Sequence, residues 1–134
     1  MSQPIRVLLV DDEKIFVQSM VRILQRKGVQ VATAGDGRQA LQSLAQGEFD
    51  VVVLDIKMPQ MDGLACLQAL RQDDALTPVL ILTGHTDLNG VTQALKGGNC
   101  EVLLKPCPVD TLLAAIEDAA ERKTLARQAL PSQD

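Results

Sequence analysis

A parallel α/β sheet covered on both faces by helices is the fold this sequence predicts. Three observations predict it. Short apolar, β-branched runs alternate along the chain with amphipathic helical stretches, and the connections between them are short. Hydrophobic residues make up 46% of the 134 positions but aromatic residues only 1%, so the core must be Val, Leu, Ile and Ala packed in layers, as a sheet buried on both faces requires. One domain of this length buries about two-thirds of the surface its unfolded chain exposes, and two domains would be a squeeze.

The first strand is predicted over 5–10 (IRVLLV), closed by the three acids Asp11, Asp12 and Glu13. Over 14–27 the apolar residues Phe16, Met20, Ile23 and Leu24 recur at helical spacing opposite Gln18, Arg22, Gln25 and Arg26, and Gly28 stops the helix. Residues 29–33 alternate as a second strand; Asp36 then caps a helix that turns Ala40, Leu41 and Leu44 inward and ends near Gly47. Residues 50–54 (DVVVL) are the most apolar strand and run straight into Asp55, after which Pro59 and Gly63 forbid regular structure until a third helix over 64–71. A fourth strand is predicted over 78–82, a fourth helix over 87–96 up to Gly97-Gly98, a fifth strand over 101–104 and a last helix from 109 to about 127 with Leu112, Leu113, Ile116 and Ala120 on one face.

The formal net charge of -4 argues against a grip on nucleic acid, because duplex affinity comes from Lys and Arg neutralising phosphates. The opening residues lack the basic start, apolar stretch and cleavage site of a secretory leader, and no apolar run approaches 18 residues, so the expectation is a cytoplasmic protein with no membrane contact. Cys66, Cys100 and Cys107 are odd in number and lack C-x-x-C spacing, which predicts reduced, mostly packed thiols rather than a zinc site. Met58 and Met61 are expected to pack the loop after the third strand, and His85 to be a loop residue without a catalytic role.

In doubly wound sheets ligands bind beyond the carboxyl ends of the strands. Asp11 and Asp12, Asp55, Thr83 and Lys105 each follow a different predicted strand, so the fold gathers them into one shallow cleft. Carboxylates crowded together repel and call for a cation, and an all-oxygen donor set selects a hard ion such as Mg²⁺. A metal and a lysine around an isolated carboxylate suit phosphoryl transfer, with Asp55 the candidate nucleophile, Asp11 and Asp12 the ion's ligands, and the Thr83 hydroxyl placed to bond an arriving phosphate oxygen. Asp12 or Glu13 also suits the cap of the first helix.

The segments VLLVDDE (7–13), VVVLDIKMPQMDGL (51–64), PVLILTGH (78–85) and LLKPCP (103–108) resemble, in order and spacing, the four signature blocks of response-regulator receiver domains, and the resemblance extends over roughly residues 5–125. It implies a flavodoxin-like receiver fold, a five-stranded parallel sheet of order 2-1-3-4-5 with five helices. It implies that Asp55 takes a phosphoryl group from a sensor histidine kinase or histidine phosphotransfer protein, that Asp11, Asp12, Asp55 and the Lys57 backbone carbonyl hold Mg²⁺, that Thr83 is the switch hydroxyl, that Lys105 contacts the phosphoryl group, and that the Lys105-Pro106 bond is cis. It implies too an output domain or a homodimer engaged through the fourth helix, fifth strand and fifth helix.

The family usually carries an aromatic residue where this chain has Val102, so activation is expected to rely on residues 84–97 rather than on a ring swinging behind Thr83. Gly84 leaves access to the site open, and Lys57 and His85 are expected to modulate the phosphoryl lifetime. The receiver domain is placed at 1–127, with 128–134 a tail or the start of a linker broken at Pro131. Two other functions compete. An aspartyl-phosphate hydrolase would pair its nucleophile as Asp-x-Asp, whereas Lys57 stands two after Asp55; a phosphorylation-independent interaction module usually lacks one of the acids or the lysine, and all are present here. The expectation is therefore a signalling receiver, not an enzyme, with only self-phosphorylation and self-dephosphorylation chemistry.

Overall fold

The structure, a computed structural model, describes residues 3–55, 62–74, 76–84 and 98–129. In chain order the elements are β1 (Arg6–Val10), α1 (Lys14–Arg26), β2 (Gln30–Ala34), α2 (Gly37–Gln46), β3 (Val51–Asp55), α3 (Asp62–Asp73), β4 (Val79–Thr83), β5 (Cys100–Leu104) and α4 (Val109–Ala129). The readings on Lys57, Met58, Met61, His85 and the helix over 87–96 fall outside the described residues, as does the side chain of Cys66. The last helix is therefore the fourth described.

The five strands form one parallel sheet in the order β2-β1-β3-β4-β5, as the resemblance implied. Successive strand residues point to opposite faces, and both faces are dry. Leu8, Val10, Val52, Leu54, Val79 and Ile81 pack with Ala40, Leu67 and Leu70 of α2 and α3. Val7, Leu9, Val51, Val53, Leu80 and Leu82 pack instead with Met20 and Leu24 of α1 and Leu112, Ile116, Ala119 and Ala120 of α4. Each fully buried Leu or Ile contributes about 2 kcal/mol of transfer free energy, so it is these two layers that hold the strand tips in place.

The helix stops follow the residues that set them. The Asp36 carboxylate accepts the Gln39 N–H at 2.8 Å to start α2. Gly28, at φ +89°, turns the chain out of α1 through a conformation that costs glycine little. Strand and helix ends differ from the sequence expectation by a residue or two, and α4 runs two residues beyond 127, to Ala129.

A polar network at the sheet edge opposite the strand tips has no counterpart in the sequence reading. Lys123 of α4, only 6% exposed, donates to the Phe49 carbonyl at 2.6 Å and to Thr77 Oγ1 at 2.8 Å. Thr77 in turn bonds Asp74, and the Arg71 guanidinium donates to the carbonyls of Asp74, Thr77, Gly98 and Asn99. The network ties α3 and α4 to the entry of β4, which leaves the other end of that strand, Thr83, referenced to a fixed point.

Candidate functional site

Register does the assembling. Val10 pairs with Leu54 and Leu82 with Asp55, so Asp11 and Asp55 lie side by side on β1 and β3. Asp11 extends the β1–β2 ladder by one bond, its N–H donating to the Ala34 carbonyl at 3.0 Å. Thr83 pairs with Leu104, and the Lys105 N–H donates to the Thr83 carbonyl at 2.8 Å, which fixes Lys105 beside the tip of β4. Residues far apart in sequence thus meet at adjacent strand tips.

Asp55 is buried at 1% exposure, and the Lys105 ammonium lies 2.7 Å from its Oδ1. Lys105 is itself half-buried, so the pair is shielded from most of the screening that weakens surface ion pairs. Thr83 is buried, and its hydroxyl donates to the Gly84 carbonyl at 3.0 Å. A Cβ at Gly84 would meet nothing within 4 Å, which leaves room beside that hydroxyl. The Lys105-Pro106 bond is cis. Val102 is half-buried and packs on the layer beneath α2 and α3.

Asp11, Glu13 and Asp55 bring one carboxylate oxygen each to within 4.8 Å of one another. At that separation two like charges repel by roughly 3 kcal/mol at an effective dielectric of 20, which one lysine does not relieve for all three. Burial pushes the Asp11 carboxyl up to about 6; the Glu13 backbone N–H, donating to Asp11 Oδ1 at 2.9 Å, opposes the rise, the adjacent Asp55 adds to it and the Lys105 charge lowers it. Asp11 Oδ2 is buried and accepts no hydrogen bond. An all-oxygen set with a buried, unbonded carboxylate oxygen fits a hard divalent cation.

Asp12 is exposed and, together with Asp11, lines a groove with Thr33, Gly35, Asp36 and Gln39, while Glu13 also brings a carboxylate oxygen close to Asp11 and Asp55. Glu13 stands at the N-cap of α1 without a side-chain capping bond, and the side-chain bond at that helix start comes from Asp11 instead. Sequence reasoning gave Glu13 no part in the site, although two-residue periodicity beyond Val10 puts 11 and 13 on one side and 12 on the other. Beside the acids, Phe16, Met20, Leu82, Leu112, Pro106 and Cys107 line a cavity of about 460 Å³ that opens on Asp11, Glu13 and Lys105. Cys107 and Cys100 are both free and half-buried, and burial pushes both thiols up.

Residues 7–117 match the family model of the response regulator receiver domain. The chain belongs to that family. This receiver is 39% identical over 120 residues, 90% of its length, to the C4-dicarboxylate transport transcriptional regulatory protein DctD of Pseudomonas aeruginosa, and covers 26% of that protein. It is 36% identical to the response regulator MprA of Mycolicibacterium vanbaalenii, covering 90% of this chain and 52% of MprA. The receiver thus spans between a quarter and about half the length of these relatives.

Among solved structures it resembles a response regulator receiver domain protein from Clostridium thermocellum, with a TM-score of 0.84 and 34% identity over 91% of this chain and 98% of that one. It also resembles the receiver domain of an HD domain-containing protein from Pseudomonas fluorescens, with a TM-score of 0.88 and 32% identity over 97% and 96% of the two chains. Receivers of two-component systems are signalling domains, and several relatives carry the word transcriptional in their names. No helix among the described residues is long and apolar enough to cross a membrane.

Proposed function

We propose that this receiver is the phosphoacceptor of a two-component relay, with Asp55 taking a phosphoryl group from a sensor histidine kinase or histidine phosphotransfer protein in the cytoplasm. The reading rests above all on one observation: a buried aspartate at the tip of the central strand faces a lysine at 2.7 Å, with a buried threonine on the strand between them.

An Asp55 carboxylate oxygen attacks the phosphorus, the P–N bond to the donor imidazole breaks, and that nitrogen keeps the electron pair. Lys105 then exchanges its bond to Asp55 for one to a transferred oxygen, so its charge follows the charge that moves. Asp11, Asp12, Asp55 and the Lys57 backbone carbonyl would hold Mg²⁺, which would supply positive charge to the phosphoryl oxygens. The Thr83 hydroxyl leaves the Gly84 carbonyl for a phosphoryl oxygen and draws the following residues after it. With Val102 in place of an aromatic ring, the change passes into residues 84–97 and so to the face that the helix expected over 87–96 shares with β5 and α4, which meets an output domain or a second copy. Lys57 and His85 set the lifetime of the acyl phosphate, and Gly84 keeps the approach open. The receiver occupies 1–127 and residues 128–134 form a tail or the start of a linker; the domain itself touches neither nucleic acid nor membrane, and its only chemistry is gain and loss of its own phosphoryl group.

The test is to incubate the protein with acetyl phosphate, with and without Mg²⁺, and weigh the intact and Asp55→Asn forms. One phosphoryl adduct per chain that needs both Mg²⁺ and Asp55 is the expected result. An adduct that persists in Asp55→Asn, or sustained turnover of acetyl phosphate without an adduct, overturns it.

A further inference from the structure

We propose that the cavity beneath the strand entries, between α2, α3 and the end of α4, binds a small organic anion, a carboxylate carried on an apolar body, with the buried Lys123 as its hydrogen-bond donor.

The cavity has a volume of about 490 Å³, within the range of small-molecule sites. Leu44 of α2, Leu70 of α3, Phe49 and Leu76 give it apolar walls, and Lys123 lines it from α4. Phe49 and Thr77, which accept from Lys123, stand just before β3 and β4, so the site lies at the end of the sheet away from Asp55. None of Asp11, Asp55, Thr83 and Lys105 lines it.

Lys123 gives this apolar space a preference for negative charge. The residue is 6% exposed, and both oxygens that its ammonium meets, the Phe49 carbonyl and Thr77 Oγ1, are neutral. A lysine has three protons to give, and these bonds use two. Asp74 lines the same cavity but is already engaged. Its Oδ1 accepts the N–H groups of Leu76 and Thr77 at 2.9 and 3.0 Å, and its Oδ2 accepts the Thr77 hydroxyl. Burial pushes the Lys123 ammonium below its usual range, and the Asp74 charge only partly opposes this. An anion on the third proton compensates a charge that is costly to bury. Glu48 and Arg127, the remaining charged residues of the lining, are both exposed and of opposite sign, so Lys123 decides the character of the interior.

The experiment follows amide shifts of the whole chain during titration with sodium octanoate, octan-1-ol and octylammonium chloride, three probes of one apolar body and different heads. Octanoate is expected to bind about tenfold more tightly than octan-1-ol, the margin of one charge-assisted hydrogen bond, with octylammonium weakest. The shifts should centre on Leu44, Phe49, Leu70, Thr77 and Lys123. Lys123→Met keeps the length of the side chain and removes its charge, so it should bring octanoate down to the affinity of octan-1-ol. Octanoate that does not bind saturably, equal affinity for octanoate and octan-1-ol in wild type, shifts centred elsewhere, or a margin that survives Lys123→Met overturns the proposal. Where circular dichroism shows that Lys123→Met does not fold, the ¹³Cε signal of Lys123 in wild type decides: octanoate should raise the pH at which it titrates and octan-1-ol should not, and an unchanged midpoint overturns the proposal.

Discussion

Lys105 and Asp55 stand 50 positions apart in the chain, yet the lysine Nζ donates to the aspartate Oδ1 at 2.7 Å. β4 lies between their strands, so the lysine reaches across the Thr83 tip to touch the acid. Removing one partner of a buried pair leaves the other charge uncompensated. Lys105→Ala is therefore expected to destabilise the metal-free protein by about 2 kcal/mol, less than for a fully buried pair because the lysine is partly solvated. Urea unfolding in EDTA measures the loss; millimolar Mg²⁺ should recover part of it, and recovery of none would mean that no cation replaces the lysine.

Stability without metal should depend on pH through Asp11. Its folded-state carboxyl sits at about 6, above the ordinary 3.8, so the folded protein holds that proton more tightly than the unfolded chain does. The stabilisation is present below pH 3.8 and is lost as pH rises towards 6, amounting to up to about 3 kcal/mol between those limits. Asp11→Asn keeps an oxygen for the Glu13 N–H and removes the charge, so it should flatten this dependence and stabilise the metal-free protein at pH 7.5. Denaturation midpoints at pH 5 and 7.5, both in EDTA, decide it; parallel curves for the two proteins would contradict the assignment.

The same proton competes with cation binding. Below pH 6 each further unit of acidity should weaken Mg²⁺ or Mn²⁺ about tenfold, because Asp11 must lose its proton to ligate. Affinities constant from pH 5 to 7 would place the ion elsewhere.

At the opposite edge, Lys123→Ala strands the Phe49 carbonyl and Thr77 Oγ1 in a buried setting and should cost about 3 kcal/mol. Coupling is the sharper check. In a double-mutant cycle with Thr77→Val the two losses should fall short of additivity by 0.5 kcal/mol or more, roughly the interaction expected of contacting groups. Simple additivity would show that the two side chains do not depend on each other.

Phosphorylation is expected to move residues 84–97 more than the edge held by Arg71 and Lys123. Amide shifts with and without beryllofluoride and Mg²⁺ measure this. Shifts confined to Asp11, Asp55 and their immediate neighbours would remove the proposed route from Thr83.

The alternation of apolar runs with amphipathic stretches was sufficient to read every described strand and helix to within a few residues, because burial on one face or two leaves a period in the sequence. Asp55, Thr83 and Lys105 were equally legible, since each is a polar residue placed where an apolar strand stops. The acids after β1 were less so: three in a row satisfy the same rule, and it is the structure that brings Glu13 within 4.8 Å of Asp11 and Asp55. Lys123 and Arg71 were passed over because a basic residue on an amphipathic helix reads as solvated. Their burial comes from the β3 and β4 entries packed above them, which helical periodicity does not encode.

The sequence alone determined the class of fold, the strand ends and the kind of chemistry collected there, because those depend on patterns local to a few residues. The strand order came from the family resemblance rather than from any local pattern, and the tertiary structure supplied the register that sets Asp11 beside Asp55 and brings Lys105 to it. It also decided how deeply each is buried. Register and burial are set by packing between segments tens of residues apart, and no local pattern carries that information.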